Sequence, residues 1–139
     1  MSYKKLAFDI LKVHEGYSQT VYECSVGVKT VGYGRNLEHK GLTIKEAEYL
    51  LRNDITEADT WCREHLSYFD QLSTIRKTVL IDMYVNLGGT GLLTFKKMHT
   101  ALNQGDFTKA SLEMLDSKWA TQVGTRAVTL SNLMKEERI

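Results

Sequence analysis

Apolar positions at the start of the chain recur at helical spacing. Tyr3, Leu6, Ala7, Ile10 and Leu11, with His14 one turn on, share a face. Ser2 is placed to cap this helix and Gly16 to end it. The pattern then changes. Residues 20–23 (Thr-Val-Tyr-Glu) and 29–34 (Lys-Thr-Val-Gly-Tyr-Gly) are β-branched and aromatic, with Gly27 between them. They predict a hairpin, extended by a third short strand near Asn36 to His39.

Thr43-Ile44-Lys45-Glu46 reads as a capping box, in which Thr43 caps and Glu46 reaches back. Behind it Ile44, Ala47, Leu51, Ile55, Ala58 and Cys62 form one apolar stripe. That helix would run about 20 residues, or ~30 Å, long enough to connect two lobes. After Asp70 the pattern is helical throughout. Ser73 or Thr74 starts a helix with Ile75, Val79 and Met83 on one face, and Gly88-Gly89-Thr90-Gly91 breaks it. Leu92, Phe95, Met98 and Leu102 carry the next stretch. Gly105-Asp106 restarts the chain ahead of Ala110 and Met114, and Gly124 separates Trp119 from a last helix with Val128, Leu133 and Met134. The order is helix, small β region, long helix, helical region, which is an α+β class.

Composition narrows the function classes. The 139 residues suit one domain, or two small lobes. The formal charge of +1 argues against a general nucleic-acid binder, which carries a basic excess. Proline is absent, which excludes a polyproline ligand or a Pro-rich linker. The longest strongly apolar runs are a few residues, as at Val79-Leu80-Ile81, far short of the ~20 that span a bilayer. No secretory signal is expected, because Asp9 and Lys12 interrupt the stretch after Lys4 and Lys5. Cys24 and Cys62 are too few for a disulfide scaffold and form no CxxC pair.

Single residues say little about chemistry. Glu15 at a helix C-terminus opposes the macrodipole, which hints at a use, although a solvated carboxylate is the bland reading. Thr30 is an ordinary strand residue. Cys24 on a hairpin is most often a small apolar residue, and Cys62 falls on a core stripe.

Spacing changes this. His14-Glu15-Gly16, then Tyr22-Glu23-Cys24, then Thr30-Val31-Gly32-Tyr33-Gly34 resembles the active-site segment of phage lysozymes, muramidases of the endolysin type. The family pattern is Glu, eight residues, Asp or Cys, five residues, Thr, with Gly-Tyr-Gly close behind. Glu15, Cys24 and Thr30 match it without insertion. Further on, residues 86–91 (Asn-Leu-Gly-Gly-Thr-Gly), 102–106 (Leu-Asn-Gln-Gly-Asp) and 119–126 (Trp119 to Arg126) resemble later segments of the family, so the likeness covers nearly the whole chain.

The resemblance implies a single lysozyme-like domain over residues 1–139. It has a β lobe over about residues 15–42 and a connecting helix over 43–66. Residues 67–139 with the first helix form a helical lobe, and a cleft lies between the lobes. It implies a peptidoglycan hydrolase that cleaves the β-1,4 bond between N-acetylmuramic acid and N-acetylglucosamine. Glu15, Cys24 and Thr30 are the catalytic candidates. Asn86, Gln122, Thr125 and Arg126 are candidate substrate contacts, with capping the bland alternative for the first three. Tyr33 is carried with them, although its ring reads as packing. No metal or organic cofactor is implied, and His39, His65 and His99 lack metal-ligand spacing. The implied partner is the wall polysaccharide, with no nucleic acid and no stable membrane insertion, and the protein acts as a monomer. It would accumulate in the host cytoplasm and reach the wall after a separate protein permeabilises the membrane.

The chemistry fits these residue types. Cleaving a glycosidic bond takes an acid for the leaving oxygen and a second group across the sugar. Glu15 is the acid at the motif position, and partial burial would keep it protonated. Arg126 resembles a family arginine that pairs with this Glu and orients it. Cys24 departs from the common Asp, since a free thiol is mostly protonated at pH 7. It can act as a thiolate base that activates water with Thr30, giving inversion. It can act as a nucleophile, giving retention. Or it is a tolerated replacement beside Glu15 and Thr30. The arrangement with Thr suits water activation best. A Cys24–Cys62 disulfide, a chitinase- or transglycosylase-like activity, and a non-catalytic wall-binding domain are the remaining alternatives. Trp61 and Trp119 could stack on sugars, though Trp119 fits a core anchor better. The first 60 residues hold eight Lys/Arg and nine Asp/Glu, and the rest ten and eight, so long-range attraction to an anionic wall should be weak.

Overall fold

A computed structural model describes residues 2–137; Met1, Arg138 and Ile139, the ends of the expected single domain, lie outside the described residues. The chain divides into two compact units, residues 1–50 and 51–139.

In the first unit α1 runs Tyr3–Glu15. Its ends obey the sequence. The Ser2 hydroxyl accepts from the Lys5 N–H at 3.2 Å, and Gly16, at φ 68°, donates its N–H to the Lys12 carbonyl at 3.1 Å. β1 (Ser18–Glu23), β2 (Lys29–Gly32) and β3 (Arg35–Asn36) then form an antiparallel sheet in that order. Tyr22 faces Thr30, Thr30 faces Asn36, and the β1–β2 register shifts between Ser18 and Tyr22. The third strand is shorter and earlier than residues 36–39. The Asn36 side chain accepts from the His39 N–H at 3.0 Å and its carbonyl accepts from the Gly41 N–H at 3.1 Å, so the chain curls into a turn.

α2 spans Ile44–His65, 22 residues. The capping box is present in both directions, with Thr43 N–H to Glu46 Oε1 at 2.9 Å and Glu46 N–H to Thr43 Oγ1 at 3.2 Å. Arg35 donates to Glu46 at 2.8 Å and to the Gly41 carbonyl at 3.1 Å, closing the loop between β3 and α2. The apolar stripe of α2 is buried only at Ala58 and Cys62, while Ile44, Leu51 and Ile55 are exposed. The buried end is the one that belongs to the helical core.

The second unit continues with a 3-10 turn (Phe69–Gln71), α3 (Thr74–Leu93), α4 (Lys96–Asn103), α5 (Phe107–Leu115), α6 (Lys118–Val123) and α7 (Thr125–Glu136). Ser73, Asp106 and Ser117 each accept the N–H three residues on, at 3.0–3.2 Å, and start α3, α5 and α6. Gly88, at φ 73° and ψ 172°, breaks α3 at the first residue of the glycine cluster, and the helix then resumes. Val79, Leu80 and Leu92 are fully buried with Met83, Met98, Met114 and Met134. Flexible thioethers let one core fill the gaps between several short helices.

Sequence patterning gave Arg76 no place, yet it is buried. Its guanidinium donates to the carbonyls of Met134 at 2.6 Å and Lys135 at 3.1 Å, pairs with Glu137 at 3.3 Å, and lies 3.5 Å over the Phe107 ring. It supplies the partners that the last carbonyls of α7 otherwise lack. Among the described residues no helix is long and apolar enough to cross a membrane.

Candidate active site

Glu15 closes α1, and the positive φ of Gly16 turns the chain away behind it. The carboxylate lies against the α-carbon of Gly34, at the β2–β3 turn. A Cβ on Gly34 would meet the Glu15 side chain, coming within 2.7 Å of its carboxyl carbon. Gly34 also stands at φ 78°, where side chains are disfavoured. The positive φ favours glycine at this position, and any Cβ placed there would displace the end of the Glu15 side chain. Glu15 itself is exposed, so the partial burial expected of an acid is not supplied by its own surroundings.

Cys24 follows β1 and opens a tight turn. Its N–H donates to the Val28 carbonyl at 2.9 Å, and its carbonyl accepts from Gly27, at φ 79°, at 2.8 Å. The Val26 and Val28 N–H groups, and less strongly the Thr30 hydroxyl, favour the charged form of the thiol. These donors, Val26 first, hold the thiol below its usual 9.0 against a smaller desolvation effect. Thr30 is buried, 4% exposed, on the central strand. Its hydroxyl donates to the Val28 carbonyl at 2.9 Å.

Tyr33 is half-exposed, with its ring centroid 5.5 Å from Tyr17 and the Lys12 ammonium 5.5 Å above it. Tyr17 was not singled out by sequence patterning. Its place two residues beyond Glu15, in the short link between α1 and β1, was the available signal.

The candidates of the second unit are anchored differently. Asn86 accepts from the Trp119 indole N–H at 2.7 Å. Trp119 is buried, with Phe95 edge-on at 5.8 Å, so it is a core anchor and its bond aims the exposed Asn86 amide. Gln122 lines a recess of about 510 Å³ with Leu87, Phe95 and Trp119. Thr125 is the exposed first residue of α7. The Arg126 guanidinium is held by Asp82, through Nε at 2.8 Å and Nη2 at 2.6 Å. Sequence patterning missed Asp82 as its partner. Trp61 stacks on His65 at 4.5 Å and tilts on Tyr84 at 5.1 Å, and a Cβ on Gly89 would lie 2.6 Å from its ring. Its faces are engaged within the protein.

Both cysteines are free, so the Cys24–Cys62 disulfide is not formed. Burial pushes the Cys62 thiol up to about 12, which makes it unreactive. His99 bonds Tyr68 Oη at 2.6 Å and the Leu92 carbonyl at 2.8 Å. Burial lowers its pKa, consistent with a neutral ring that accepts from Tyr68 and donates to Leu92. Among the described residues no cluster of three His, Cys, Asp or Glu is placed to hold a metal ion.

Comparison with known proteins decides the family. The model of the family described as phage lysozyme matches residues 12–137, a span that contains both units' candidates. The chain belongs to the phage lysozyme family. An endolysin of Acyrthosiphon pisum secondary endosymbiont phage 1 is 28% identical, over 93% of this chain and 88% of its own length. A probable T4-type lysozyme 1 of Dictyostelium discoideum is 25% identical, over 86% of this chain and 87% of its own length. Membership makes this chain a lysozyme-type glycoside hydrolase, of the class that acts on peptidoglycan. The α+β architecture, with a small antiparallel sheet followed by helices, is that expected of a phage lysozyme.

Proposed function

We propose that the chain is a muramidase that hydrolyses the β-1,4 bond between N-acetylmuramic acid and N-acetylglucosamine of peptidoglycan, with Glu15 as the general acid. The observation that carries this is the seat of Glu15. Its carboxylate is exposed to an incoming substrate and lies at the end of α1 against the side-chain-free Gly34. In the same unit Cys24 and Thr30 offer a thiol biased toward thiolate and a hydroxyl on the central strand beside the turn it opens. A bound sugar would displace water from Glu15 and so provide the environment that favours the acid form. The Cys24 thiolate takes a proton from a water held by Thr30, and the water attacks the anomeric carbon with inversion. Asn86, Gln122, Thr125, Arg126 and Tyr33 are substrate contacts on this reading. Arg126 is held by Asp82 through Nε and Nη2, which fixes the direction of its guanidinium.

The protein is proposed to be made in the host cytoplasm, to act as a monomer, and to reach the periplasmic face of the wall after the membrane is permeabilised. Retention through attack by Cys24, and wall binding without catalysis, are the competing readings, and the departure from Asp at Cys24 favours keeping both in the test. Clearing of wall suspensions by wild type and by Glu15→Gln is the deciding comparison. Clearing by wild type alone is expected, with products that carry reducing ends and fresh anomers of inverted configuration. Equal clearing by both would remove Glu15 from the mechanism. Absence of clearing by wild type would leave the binding domain, and anhydro ends would indicate transglycosylation.

A further inference from the structure

Beside Glu15 lies a small recess of about 220 Å³, lined by Glu15, Gly16, Tyr17, Ser18 and Tyr22. It is smaller than the roughly 300–1,000 Å³ pockets that enclose a whole drug-sized ligand. It suits a single ring of a longer polymer, with the neighbouring rings outside. Tyr17 is 66% exposed there. The ring is not loose. It packs on Tyr33 at 5.5 Å with the planes inclined by 45°, and Tyr33 is in turn covered by the Lys12 ammonium. An aromatic side chain with few rotatable bonds, held from behind and open in front, loses little freedom when a ligand settles on it.

A β-1,4-linked pyranose presents axial C–H groups on each ring face and hydroxyls around its rim. The C–H face matches an aromatic plane, and the rim needs polar partners. Within the recess the Ser18 hydroxyl is committed to the Thr20 carbonyl at 2.7 Å. The Glu15 carboxylate and the Tyr22 side chain are the other groups with polar atoms at its wall. The site therefore combines one braced aromatic face with the proposed acid two residues away.

We propose that Tyr17 is a sugar-stacking residue: it seats the pyranose ring of a glycan N-acetylhexosamine next to Glu15, with Tyr33 and Lys12 bracing its ring. The inference rests on the reading of Glu15 as the acid. Tyr17 positions substrate and takes no part in proton transfer, so its removal acts on binding more than on turnover.

The test uses the full chain. Binding to peptide-free glycan strands is measured by calorimetry for Glu15→Gln alone and combined with Tyr17→Ala, Tyr17→Leu or Tyr17→Trp. The kcat and KM on soluble strands are measured for the same Tyr17 variants with Glu15 intact. Tyr17→Ala and Tyr17→Leu are expected to weaken binding and raise KM roughly tenfold, the factor that ~1.4 kcal/mol represents, with kcat within about twofold. Tyr17→Trp is expected to restore both. Leucine separates an aromatic face from simple apolar bulk, and recovery by tryptophan shows that the fold survives the site. Unchanged Kd and KM in Tyr17→Ala, full rescue by leucine, or a fall in kcat alone would overturn the proposal. Wall clearing by Glu15→Gln would overturn the acid assignment instead, and the KM series would still report on Tyr17.

Discussion

The Glu15 carboxylate occupies the space that a side chain on Gly34 would need. The proposed acid is therefore positioned partly by an absence, and a single methyl group tests it. Gly34→Ala is expected to push Glu15 aside and lower activity by about 10²-fold, the penalty of an ångström-scale misplacement. Gly32 shares the positive φ, at 67°, but has nothing near its would-be Cβ. Gly32→Ala is expected to cost about 1 kcal/mol of stability, as backbone strain alone does, and to keep far more activity. Initial clearing rates, normalised by thermal melts of the two variants, separate contact from strain.

Cys24 and Thr30 should behave as one unit. Cys24→Ala is expected to lower kcat by about 10²–10⁴-fold, the range for losing a general base. Cys24→Asp should retain most of it, because Asp is ionised without help. In wild type, activity should rise with pH through a thiol pKa below the ordinary 9.0, as thiolate forms. Thr30→Val removes one of the donors that favours thiolate, so this limb should move to higher pH. Cys24→Asp should abolish it. The pH dependence of kcat/KM for the four proteins checks this.

His99 links stability to pH. Burial depresses its folded-state pKa below 6.5, with the Leu92 carbonyl opposing less strongly. The folded state then binds fewer protons than the unfolded one. The contribution is fully present above about pH 6.5 and is lost as pH falls below it. Melting temperature should therefore begin to drop already in the mildly acidic range. His99→Gln should be less stable at pH 8 and should lack that early slope.

Glu46 acts in a lower window. Arg35 first, and then the Thr43 N–H and hydroxyl, hold its carboxyl at about 2 against an ordinary 4.5. The stabilisation is present above about pH 4.5 and is lost as pH falls toward 2. Glu46→Gln should flatten the acid limb of the melting curve in this interval and leave the His99 slope intact.

Arg76→Ala should lower unfolding free energy by about 1–3 kcal/mol, because it strips a partner from the buried Met134 carbonyl and another from Lys135; the ion pair it breaks has an exposed Glu137 end and adds little. Arg76→Met keeps a side chain over Phe107 and should recover only part of this. Urea midpoints at constant slope give the comparison.

Much of this was legible in the sequence because it depends on neighbours in the chain. Ser2, Ser73, Asp106 and the Thr43–Glu46 box start helices through bonds three residues long, and Gly16, Gly88 and Gly124 bend the chain where a positive φ is needed. The spacing of Glu15, Cys24 and Thr30 is likewise local, since a helix end and a hairpin fix it. The two ends of the third strand were misplaced because an Asn36 turn outcompeted strand propensity. What pattern alone did not decide is what distant residues meet. Glu15 against Gly34, Tyr17 on Tyr33, Arg126 on Asp82 and Arg76 on the end of α7 are each joined by folding across sequence separations that carry no periodic signal. Local hydrogen bonds and side-chain period write the elements into the sequence. Only tertiary packing chooses which side chains share a space, and at Glu15 that choice positions the proposed acid.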